Sequence, residues 1–169
     1  MQTLNVGAGR SDEEYKAAEE QRLYELKNDV KTYARFFFIA AACACLGGGL
    51  FLVKLNLAVN IGAIDLFLLY GRELLRTNPI LLPMVTAMWA LVLVGLGFAA
   101  GKGQRWAFWA GIVLYAADVV LLMLPFNLLS GLAMGVHGFF IMQWFKGQKA
   151  LGEIQDSAQS QRSMTAGAV

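Results

Sequence analysis

His137 is the only histidine of the chain, and it shares a long apolar stretch, Trp106 to Phe145, with the carboxylate Asp118. A histidine titrating near neutrality beside a carboxylate can exchange protons. The same two residues can instead do no more than lock two helices in register, because an unpaired polar group in an apolar medium costs several kcal/mol. The motif "LPFN" at 124–127 separates them. It breaks a helix and reverses the chain, so residues equally far from the Asn127–Leu128 junction face each other across a hairpin. Asp118 and His137 are such a pair, each roughly 14 Å from the turn at ~1.5 Å per residue. A charge that deep in a bilayer costs at least ~2.5–3.5 kcal/mol, so the two are expected to join in a hydrogen bond or ion pair. Tyr115, Asp118 and Leu122 share one face of the first helix, and Ser130, Ala133, His137 and Trp144 one face of the second.

Other chemistries find less support in the residues. Ser130 lies about two helical turns from His137, too far for a nucleophile and its base. One histidine supplies one haem ligand, and Met134 or Met142 would be an arbitrary second. Cys43 and Cys45, two apart on a helix, point to nearly opposite sides and read as small packing residues. "GKGQ" at 101–104 lacks the spacing of a phosphate loop. A net charge of +2, with no Lys/Arg run and no zinc motif, argues against nucleic acid as a partner. No metal, no cofactor and no enzymatic activity is expected.

The elements that must position the pair read as membrane helices. Hydrophobic residues make up 57% of the chain and charged residues 15%, too few charges to cover that much apolar side chain in a soluble domain. Four apolar runs stand out: 36–53, 80–100, 106–124 and 128–145. Each suffices for the ~30 Å of hydrocarbon that about 20 helical residues cross. Asn78 and Pro79 suit a cap and first helical position. The predicted fold is all-α, a polytopic bundle of four transmembrane helices.

Around the spans, residues 1–10 read as disordered, and Ser11 with Glu14 forms a capping box. It opens a charged helix over 11–35, on which Leu23, Leu26, Val30 and Tyr33 make an apolar stripe fit to dock a partner or the headgroup layer. Segment 54–78 reads as an outer loop with an amphipathic interfacial helix carrying Asp65, Arg72 and Arg76 on one face, a re-entrant course over 55–70 being the alternative. The Ser/Gln-rich tail, 152–169, reads as disordered. Basic residues before 36–53, between the second and third runs, and after the fourth place both termini in the cytoplasm. Lys54, Arg72 and Arg76 dissent from that arrangement.

Small residues recur at helical spacing: Gly131, Gly135 and Gly138 on the last span, and Ala40, Ala44 and Gly48 on the first. Such rows let backbones approach where no hydrophobic effect drives helices together, within the monomer or between chains.

"GKGQRWAFWAGIVLYAAD" followed by "GVHGFFIMQWFKG" resembles the C-terminal hairpin of a broad family of small, uncharacterised bacterial four-helix integral membrane proteins. These pair a basic-Trp entry and an "LYxxD" helix with a helix holding a midplane histidine. The resemblance covers residues 101–147, under a third of the chain, and implies the bacterial cytoplasmic membrane but no activity. The functional expectation is a non-catalytic membrane protein, an accessory subunit or self-associating scaffold, whose partners are the lipid bilayer and other membrane proteins or its own copies. The alternative is a proton-coupled carrier or channel working through Asp118 and His137.

Overall fold

The computed structural model describes residues 12–52, 78, 80–123 and 128–166. Among them the chain is all-α, with four helices and no strand: α1 (Asp12–Leu52), α2 (Leu81–Gly101), α3 (Arg105–Leu122) and α4 (Leu128–Ala166). α1 packs along α2 and α4, and α3 along α4 and more lightly along α2, which closes a four-helix bundle. Contacts along each seam run antiparallel. Gly97 meets Phe37 and Phe38 while Gly101 meets Ala34, and Gly111 meets Trp144 while Gly147 meets Phe108. The bundle is therefore up-down-up-down, with the start of α1 and the end of α4 on one side.

The charged helix and the first apolar run form one uninterrupted α1 of 41 residues. No proline lies anywhere in it. α2 starts at Leu81 with Ile80 as its N-cap and no side-chain cap bond, later than the Asn78–Pro79 start that the sequence suggested; the Leu81 N–H donates to the Asn78 carbonyl instead. Pro83 then falls in the first turn, where its missing N–H has no partner to lose.

The "GKGQ" motif ends α2. Gly103 has φ of +81°, the Gly103 N–H donates to Ala100 O, and the Gln104 N–H donates to Ala99 O. These are the two bonds of a Schellman turn, with glycine at the left-handed position. Any side chain there would cost about 1–2 kcal/mol. Three residues thus reverse the chain into α3.

The expectation of disorder over 152–169 is corrected as far as Ala166, to which α4 continues unbroken; residues 167–169 lie outside the described residues. After Gly152 the tail contains no proline or glycine as far as Ala166. Its side chains also find partners on the rest of the molecule. Arg22 pairs with Glu153 at 3.2 Å and Arg105 Nη1 donates to Gln155 Oε1 at 3.3 Å. Leu151 is buried and Ile154 packs on the same core. The ends of α1 and α4 therefore run together past the level where α2 stops and α3 starts. Residues 1–10, Ser11 of the capping box and the interfacial helix within 54–78 lie outside the described residues.

Two helical segments, Pro83–Gly101 and Arg105–Leu122, are long and apolar enough to cross a membrane, and only a third of each is buried inside the bundle.

Candidate functional site

The interior is an aromatic column. Phe37 of α1 stacks on Trp144 of α4 with ring centroids 4.2 Å apart. Trp144 meets the edge of Tyr115 of α3 at 4.7 Å, and the Tyr115 ring lies 4.8 Å from that of His137. All four side chains are fully buried. Glycine makes this density attainable. A β-carbon on Gly111 would sit 2.5 Å from the Phe37 ring, and one on Gly147 would sit 2.5 Å from the Phe108 ring.

At the inner end of the column, Asp118 Oδ2 and His137 Nε2 are 2.6 Å apart, with both residues buried. The other ring nitrogen, Nδ1, lies 2.7 Å from the Ala133 carbonyl oxygen. A carbonyl only accepts, so Nδ1 carries a hydrogen and donates. The 2.6 Å contact therefore needs one proton between Nε2 and Oδ2, since two lone pairs cannot face each other at that distance. Imidazolium with carboxylate, or imidazole with carboxylic acid, satisfies this, and either is neutral overall. The carbonyl thereby fixes both the ring's orientation and its hydrogen inventory. Asp118 Oδ1 and the Tyr115 hydroxyl are buried and have no hydrogen-bond partner among the described residues.

The remaining residues singled out from the sequence separate into covered and open sets. Ala40 and Ala44 are fully buried, whereas the surroundings of Gly48 lie outside the described residues. Gly131, Gly135 and Gly138 have open space where a β-carbon would stand, so among the described residues no other helix uses that row. On α1, Val30 is buried and Leu26 and Tyr33 pack on the core cluster that holds Leu151 and Ile154. Leu23 is half-buried. The chain's own α4 thus covers most of the stripe expected to receive a partner.

Gly111, Gly147, the Tyr115 hydroxyl and the Ala133 carbonyl were not singled out from the sequence for these contacts. The equidistance rule would have found the glycines, because Gly111–Trp144 and Phe108–Gly147 are each equally far from the Asn127–Leu128 junction, small opposite large.

Among the described residues no group of three His, Cys, Asp or Glu could hold a metal ion. No family model matches the chain, nor does any curated protein or solved structure.

Proposed function

We propose that this chain is a non-catalytic integral membrane protein, a small subunit or self-associating scaffold, which receives a further transmembrane helix on the glycine face of α4. All four helices cross the bilayer in this reading, through 36–53, 80–100, 106–124 and 128–145, with both termini in the cytoplasm. Support comes from the exposed large apolar side chains on every helix, among them Ile39 and Leu46, Met88 and Leu91, Val113 and Val120, and Leu132 and Phe139. So much exposed apolar surface is unstable in water and ordinary in lipid. The run of α1 also extends by one residue beyond the described set.

The observation that carries the docking role is the division of labour among glycines. Gly97, Gly111 and Gly147 are filled by the chain's own rings, while Gly131, Gly135 and Gly138 form an open row on one helix. A row of this kind admits another backbone closely enough for dispersion contacts to hold it.

Gentle extraction and an intact-mass measurement test the reading. The expected result is a defined complex larger than one chain, lost in Gly135→Leu while the monomer stays folded. A wild-type protein that emerges only as a monomer overturns it.

A second reading draws on the orphaned Asp118 Oδ1 and Tyr115 hydroxyl, which give the Asp118–His137 pair polar neighbours along which a proton could move. It predicts pH-dependent flux in vesicles that Asp118→Asn abolishes without unfolding the protein.

A further inference from the structure

The outer groove between α3 and α4 changes character in steps along its length. At its basic end Arg105 lies against Gly152, with a guanidinium nitrogen 3.6 Å from where a β-carbon of that glycine would be. One turn further along α3, Trp109 meets the edge of Phe145 at 6.1 Å, and both rings are exposed. Lys149 is exposed on the same face of α4, one turn after Phe145 and about one before Gly152. Beyond the rings come Val113 and Met142, both exposed and equally far from the Asn127–Leu128 junction. Cations, aromatic rings and aliphatic side chains follow one another in the order of a lipid's headgroup, interface and acyl chain.

Charge complementarity names the kind of lipid. From Asn78 to Leu151 the only acid is Asp118, and its carboxylate is turned inward onto His137. Lys102, Arg105, Lys146 and Lys149 therefore have no carboxylate to neutralise them from their own hairpin up to that point. Beyond it, Glu153 is held by Arg22 of α1, and Asp156, a turn past Gly152 on the same face, makes no ion pair with Arg105 or Lys149 among the described residues. Arg105 donates to the neutral Gln155, which orients the guanidinium, and among the described residues it forms no ion pair. Gly152 leaves room beside it.

We propose that this groove seats an anionic phospholipid, its phosphate between Arg105 and Lys149 and its acyl chain along Trp109, Phe145, Val113 and Met142. The proposal rests on the membrane reading above; Met142, Phe145 and Lys149 continue the face of Gly131, Gly135 and Gly138 further along α4, so the lipid seat and the glycine row are separated along the helix and not around it.

Purified protein in neutral detergent is titrated with phosphatidylglycerol, with phosphatidylcholine of the same acyl chains, and with inorganic phosphate. Native mass spectrometry reads retained lipid, and thermal unfolding reads stabilisation. Wild type should retain phosphatidylglycerol and melt higher in it, with a response that weakens as salt rises. Arg105→Gln combined with Lys149→Gln should lose about tenfold or more of that affinity, yet melt with wild type in phosphatidylcholine; Lys31→Gln on α1 should bind like wild type. Equal responses to the two lipids, an undiminished response in the double variant, or a response to inorganic phosphate alone would each overturn the site. Failure of the membrane reading shows separately, as release of the protein from membranes by alkaline carbonate.

Discussion

Asp118 and His137 need one proton across their 2.6 Å contact because the Ala133 carbonyl already holds the Nδ1 hydrogen. An amide can replace the acid in that arrangement, its N–H donating to a bare Nε2. Asp118→Asn should therefore unfold within ~1 kcal/mol of wild type, whereas Asp118→Ala strands Nε2 and should lose ~1–3 kcal/mol. Replacing both residues by leucine should recover much of that loss, since the orphaned polar atoms go together. Reversible unfolding in mild detergent measures all three, and an Asn variant as damaged as the Ala variant would show that the shared proton is misplaced. A second comparison at this scale concerns glycine. Gly111→Ala drives a β-carbon into the fully buried Phe37 ring and should destabilise by ~1–3 kcal/mol. Gly135→Ala meets open space and should be neutral or stabilising by ~0.5–1 kcal/mol. Equal effects at the two sites would contradict the division between filled and open glycines.

The helices show what was legible from sequence and what was not. Hairpin register was legible: equal distance from one turn put Asp118 opposite His137, and the same rule holds for Gly111 with Trp144 and Phe108 with Gly147. The extent of α4 was not legible. A Ser/Gln-rich tail has too little apolar surface to fold alone, and its helicity comes from a partner more than 100 residues away, through Leu151, Ile154 and the Arg22–Glu153 pair. The stripe on α1 read as a docking face because nothing local reveals which element will cover it. Nor does spacing distinguish a glycine row that is filled from one left open. A chain ending at Gly152 should uncover Leu26 and fray α1 before Val30. Limited trypsin digestion would then cut at Lys16, Arg22 and Lys27 faster than in the full chain; unchanged protection there would mean that α1 stands without the α4 extension.

At the scale of the whole molecule, the bundle is polarised. The pairings of Gly101 with Ala34 and of Arg105 with Gly152 bring the exposed Arg35, Lys102, Arg105 and Lys149 to one end, with Trp106 beside them. In the proposed four-span arrangement these cations and Trp106 lie at a membrane–water interface, and their Lys/Arg content assigns it to the cytoplasmic side. Both proposed surfaces, the glycine row and the lipid groove, depend on all four helices crossing the bilayer rather than α2 and α3 alone. The most direct measurement starts from a chain with Cys43 and Cys45 changed to alanine. A single cysteine is then introduced as Asn60→Cys or as Ala158→Cys, and labelled with a membrane-impermeant reagent in sealed vesicles of known orientation. Four spans predict that Ala158→Cys reacts only from the cytoplasmic side and Asn60→Cys only from the opposite side. Reaction of both positions from the same side would remove α1 from the membrane and contradict the four-span bundle.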